Sequence, residues 1–151
     1  MKQLVLKAGS LLVLTLASFQ CTSAHEYFIH NRVNACYSFQ NKYNLPISKL
    51  PIKVRLNFQD GTYHSEIVGC YGGGGFAGLN FNRVSVDKPV VSVSAAHCTT
   101  QSCEEADQNV KPPSEGGLWF HGFPAAPIAP GHRYIYVGPD EVVAQEYRYQ
   151  L

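Results

Sequence analysis

The chain has 151 residues, 45% of them hydrophobic and 15% charged, with a formal net charge of +1 at pH 7. This balance suits one globular domain with a real core and excludes a chain too polar to fold. Lys and Arg are scattered rather than clustered, which argues against a nucleic-acid partner and against a polybasic membrane anchor.

Lys2 and Lys7 form a short positive region, residues 8–19 carry no charge, and Thr22, Ser23 and Ala24 supply the small residues a signal peptidase requires. The apolar run is about a dozen residues, too short to span a bilayer. Residues 1–24 therefore read as a secretory signal peptide, and residues 25–151 as a single mature domain, secreted or periplasmic, with no membrane insertion once the signal is removed. The mature part would hold ten basic and eleven acidic residues, a net charge of −1, and would begin at His25.

Strand patterning dominates the mature chain. The first candidate strand covers residues 26–29. The clearest is 52–58, where Ile52, Val54, Leu56 and Phe58 alternate with Lys53, Arg55 and Asn57. That alternation predicts a strand with its apolar face in the core and its charged face in water. Asp60-Gly61 then suits a tight turn into a return strand at 63–68. Further strands are expected at 79–86, with a bulge near Asn82-Arg83 where the apolar phase slips, and at 90–96. Residues 133–137 and 143–149 flank Gly138-Pro139-Asp140-Glu141 and read as a C-terminal hairpin. About seven short strands separated by turn signals predict an all-β fold, a single antiparallel β-sandwich of Ig-like type or a small barrel.

Cys21 lies in the segment expected to be removed, leaving Cys36, Cys70, Cys98 and Cys103. An even count in an exported domain predicts two disulfides. Three connectivities are available to four cysteines and the sequence does not choose among them; Cys98–Cys103 closing a short loop and Cys36–Cys70 a longer one is the favoured arrangement. Paired C-x2-C units, which a zinc site would want, are missing.

Two loops stand out: the glycine run at residues 72–75, and the Pro/Gly-rich connections around Leu118-Trp119-Phe120. The glycines lack the following Lys-Ser/Thr and helix of a phosphate-binding loop, so they read as a connection between strands. Tyr134 and Tyr136 share a face opposite Ile135 and Val137, and would form an exposed ladder if the aliphatics point inward. With Trp119 and Phe120 they are the candidate ligand-binding residues, because exposed aromatics suit sugar rings or a protein hot spot. The competing role for Trp119 is to plug one end of the sandwich. The expected function is a non-catalytic binding module for a glycan or protein ligand, with no cofactor.

Two short resemblances bear on alternatives. Residues 93–98, Val-Ser-Ala-Ala-His-Cys, resemble the segment around the catalytic histidine of trypsin-like serine proteases, which would make His97 a general base. The Gly-Asp-Ser-Gly-Gly nucleophile motif of that family is absent from this chain, and a lone base performs no acyl transfer. His25, as the first residue after cleavage, looks like the histidine brace of copper-dependent polysaccharide monooxygenases and small exported copper carriers, which are also β-sandwiches. That resemblance implies one Cu(II) held by the α-amine and ring of His25 together with a second imidazole, from His97 or His121 first and His132 or His64 next.

Overall fold

The computed structural model describes residues 24–73, 81–122 and 125–147. The expected signal segment, apart from Ala24, lies outside these residues, as do Gly74 and Gly75 of the glycine run. The fold is a sandwich of two four-stranded sheets. Its strands in chain order are β1 (His25–Asn31), β2 (Ile52–Phe58), β3 (Tyr63–Val68), β4 (Asn82–Val86), β5 (Val90–His97), β6 (Ala126–Pro127), β7 (Tyr134–Val137) and β8 (Val142–Gln145). One sheet runs β4-β1-β7-β8 and the other β3-β2-β5-β6.

Among these strands every pairing is antiparallel except one. β1 lies parallel to β7, with Phe28 opposite Tyr134 and His30 opposite Tyr136. The expectation of a wholly antiparallel sandwich is corrected at this one pair. Periodicity reports which face a residue occupies, and is silent about which distant strand lies alongside.

The core between the sheets comes from the predicted alternation. Ile52, Val54, Leu56 and Phe58 meet Tyr27, Ile29, Val84, Val86, Ile135 and Val137, all buried. The β2–β3 hairpin closes through Gly61, whose φ of +85° is one that side chains other than glycine rarely adopt. Asp60 accepts the Thr62 backbone N–H at 3.0 Å inside the same turn. β7 and β8 form the expected C-terminal hairpin, turned by the Gly138 N–H donating to Glu141 at 2.9 Å. No bulge interrupts Asn82-Arg83, because β4 pairs with β1 in unbroken register from His25↔Val86 to Ile29↔Asn82. The irregularity falls instead between Asn57 and Phe58, where β2 meets β5.

The disulfides are Cys36–Cys70 and Cys98–Cys103. The first explains Gly73, and a positive φ beside Gln40 explains Gly72. A Cβ on Gly73 would come within 2.6 Å of the Cys36 sulfur, and one on Gly72 within 2.8 Å of the Gln40 side chain. Gly72 also has a φ of +87°. Gly73 is thus a close approach of backbone to the disulfide, and Gly72 a left-handed position that favours glycine.

Candidate functional site

Alternation in β1 and β7 sends Ile29, Ile135 and Val137 inward and leaves Phe28, His30, Tyr134 and Tyr136 on the outer face of their sheet. Because the two strands are parallel and in register, these rings meet in pairs. Phe28 stacks on Tyr134 with centroids 4.8 Å apart and planes 14° from parallel. His30 stacks on Tyr136 at 4.6 Å and 22°. Both separations match the spacing of neighbouring strands, about 4.8 Å. Phe81 stands edge-on to Phe28 at 5.3 Å and tilted against His30 at 5.1 Å.

The two rungs differ in exposure. Phe28 and Tyr134 are half-buried, whereas His30 and Tyr136 are each only 3% exposed. The exposed two-tyrosine ladder expected from the sequence is thus corrected: Tyr134 reaches water and Tyr136 is covered. Beyond the second rung the Arg32 guanidinium lies 3.6 Å over the Tyr43 ring, 5.3 Å from Tyr71 and 5.4 Å from Tyr136. Burial alone would raise the Tyr43 phenol pKa, but hydrogen bonds and attraction from Arg32 and Lys42 overcome it and hold the phenol below its usual 10. Tyr71 moves the opposite way, pushed up by burial and by negative charge on Tyr43.

Trp119 lies elsewhere. It is 1% exposed and belongs to a second, smaller core on the outer face of the β3-β2-β5-β6 sheet, with Ala96, Ala106 and the Cys98–Cys103 pair. Its indole N–H donates to the Ala106 carbonyl at 2.8 Å. Small residues on the outer face of β5, Ser94 and Ala96, leave room for the ring. The one-turn helix Glu105–Gln108 completes this roof. Glu105 organises its entry by accepting from the Thr99 backbone N–H at 2.6 Å and from the Thr100 hydroxyl at 2.8 Å, which lower its carboxyl pKa to about 2.

The roof overturns a second expectation, that Lys53 and Arg55 face water. Lys53 is 7% exposed and pairs with Asp107 of the helical turn; Arg55 donates to the same carboxylate at 3.0 Å. The Arg55 guanidinium also lies between the rings of Tyr63 and Trp119, 4.2 and 4.4 Å from their centroids. Hydrogen bonding from Lys53, followed by Arg55, keeps Asp107 ionised below the usual carboxylate range.

Trp119 therefore plugs a core, on the sheet face opposite the one that carries Tyr134 and Tyr136. Phe120 follows Trp119 along the edge of β5 and packs against the main core, stacked on His97 at 4.3 Å and tilted against His121 at 4.8 Å. The four aromatic candidates do not form one surface. Sequence reasoning missed Phe28, His30 and Arg32, although their alternation with Tyr27, Ile29 and Val33 was readable as a second face.

The histidines separate in the same way. His25 opens β1, whereas the His121 ring nitrogen contacts the Gly138 carbonyl at 2.7 Å, just beyond Val137, which pairs with Asn31 at the far end of β1. Six residues of extended strand, about 20 Å, lie between those ends. His97, stacked on Phe120, sits at the His121 end. His25, His97 and His121 therefore cannot share one copper ion in this fold. His132 contacts the Ala144 carbonyl at 2.9 Å and His64 the Glu66 carboxylate at 2.8 Å. Among the described residues no group of three His, Cys, Asp or Glu is placed to hold a metal ion. Partial burial, and secondarily the nearby His121, push the His97 pKa below 6.5.

What fold and site define is a disulfide-bonded β-sandwich with an aromatic outer face. Comparison with protein-family models, with curated proteins and with solved structures finds no match for this chain.

Proposed function

We propose that this protein is an exported, non-catalytic binding module whose ligand docks on the outer face of the β4-β1-β7-β8 sheet. The observation that carries the reading is the half-exposed Phe28–Tyr134 rung, held rigidly by pairing of the parallel strands beneath it. Rigid aromatics supply contact area at little cost in side-chain entropy. Export is supported by the pattern of residues 1–24 and by two disulfides, which persist in oxidising compartments.

Ring orientation favours a protein ligand over a glycan. Sugar stacking needs a free ring face, yet Phe28 and Tyr134 each turn one face to the other and Phe81 stands against Phe28, which favours contact at ring edges. Edges beside apolar area suit an apolar polypeptide segment.

A peptide-display screen and a glycan array run side by side would identify the ligand class. Phe28→Ala and Tyr134→Ala are each expected to weaken the selected ligand by about 1–3 kcal/mol with the circular dichroism spectrum unchanged. A ligand whose affinity ignores both substitutions would remove the site from this face, and selective glycan binding would overturn the protein reading.

A further inference from the structure

The loop between β1 and β2 exposes apolar side chains that the ladder does not use. Phe39, on the 3-10 turn Ser38–Gln40, is 80% exposed, and Tyr37, Ile47 and Leu50 of the same loop are exposed as well. Tyr37 and Phe39 stack at 5.4 Å.

This segment is not a slack loop. Cys36 is tied to Cys70, and Ala35 bridges both Ile47 and Tyr71. At its base, the buried Asn34 donates to the Ser48 and Leu50 carbonyls, both at 2.8 Å, while Asn31 accepts from the Val33 and Asn34 backbone N–H groups at 2.8 and 3.2 Å. Asn41 closes the middle by bonding both the N–H and the carbonyl of Leu45. An unrestrained apolar loop would fold back onto the body; this one is held outward.

Its charge has one sign. Between Glu26 and Asp60 the sequence has no carboxylate, while it contains Arg32, Lys42 and Lys49 within the loop. No carboxylate among the described residues pairs with these three cations. Lys49 lies 5.1 Å from the Tyr37 ring centre and so borders the aromatic patch, while Lys42, three residues beyond Phe39 on the same loop, lies 5.2 Å from the ring centre of Tyr43.

We propose that this loop docks on an anionic phospholipid surface, with Phe39 inserted at the level of the acyl-chain boundary and Lys42 and Lys49 on lipid phosphates. A projecting apolar tip needs no complementary pocket in a bilayer, which deforms around it. Tyrosines suit the interface because they combine an apolar ring with a polar tip, and lysines keep their ammonium groups in the headgroup layer while their stems lie along apolar surface. A second copy of the chain is the poorer occupant, because a two-fold interface would place this cationic rim against itself. The attachment is peripheral: the protein lies on the membrane without spanning it.

The test is co-sedimentation with phosphatidylcholine vesicles, with and without phosphatidylglycerol, each variant compared with a parent carrying the same N-terminus. The parent should sediment with the anionic vesicles and be released by salt. Phe39→Ser should weaken partitioning about tenfold, the effect of withdrawing one aromatic side chain from an apolar phase. Lys42→Gln and Lys49→Gln should each weaken it about fivefold, on anionic vesicles only. Phe39→Trp should keep binding and bring a blue-shifted emission that brominated lipid quenches. All these side chains are exposed, so the fold should tolerate each change. Failure of the parent to sediment, or equal partitioning by Phe39→Ser, would overturn the proposal. A dimer in sedimentation velocity that Phe39→Ser dissolves would instead assign the patch to self-association.

Discussion

The outer faces of the two sheets obey one rule of alternation and end in opposite states. On the β3-β2-β5-β6 sheet the outward residues of β2 are Lys53, Arg55 and Asn57, yet a roof of Trp119, a disulfide and a helical turn buries Lys53 and half-buries Arg55 around Asp107. On the β4-β1-β7-β8 sheet the outward residues of β1 and β7 include two aromatic rungs, beside the exposed Glu26–Arg83 ion pair, and one of the rungs stays half-exposed. A polar face became interior and an apolar face stayed partly at the surface. Side-chain polarity alone therefore does not decide which face of a sheet meets water; what the connecting loops lay across it does.

The sharpest way to break the contrast is Trp119→Ala. If Trp119 is the keystone of the roof, the change should cost about 3–5 kcal/mol in denaturant unfolding, the range for a fully buried large aromatic. A variant that kept its stability but lost its ligand would return Trp119 to the binding surface.

Each region has its own disulfide, and the loops they close differ in size. Replacing Cys36 and Cys70 with serine should cost about 4 kcal/mol, against about 2 kcal/mol for Cys98 and Cys103, because the longer loop removes more entropy from the unfolded chain. Equal losses would mean that the short bridge acts mainly by holding the roof in shape.

Asp107→Ala should destabilise by about 2 kcal/mol, less than for a fully buried pair because the carboxylate is half in water while Lys53 is not. The same carboxylate makes a signed prediction in acid. Asp107 and Glu105 have folded pKa values below their ordinary ones, so their stabilisation is present above about pH 4.5 and is lost as the pH falls through the folded values. Urea midpoints should therefore drop between about pH 5 and pH 2 in the parent, and less in Asp107→Ala. An unchanged slope would mean that the roof does not depend on this ion pair.

The smallest expected effect is on the other face. Tyr134→Ala should lower stability by only about 1 kcal/mol, since it loses one half-exposed stacking partner. A cost above about 3 kcal/mol would show that the Phe28–Tyr134 rung is interior, as Trp119 is, and would weaken its assignment as a docking surface.

Much of this fold was legible in the sequence. Alternation in residues 52–58, the Asp60-Gly61 turn and the hairpin around 138–141 are local signals, since side-chain direction and turn conformation depend on a few neighbouring residues. Cysteine count predicted two disulfides; which of three connectivities forms was open in the sequence, and the structure has the favoured one. Facing was also right for Tyr134 and Tyr136, which do oppose Ile135 and Val137. What the sequence left open is long-range. That β1 lies parallel to β7, so that Phe28 and His30 complete the ladder, joins residues about a hundred positions apart, and no local preference encodes it. That Trp119 and Asp107 roof β2, and that His25 lies a strand's length from His97 and His121, depend equally on how loops cross the sandwich. Local chemistry determined which residues share a face; only tertiary packing decided what each face meets, because burial is set by partners distant in the chain.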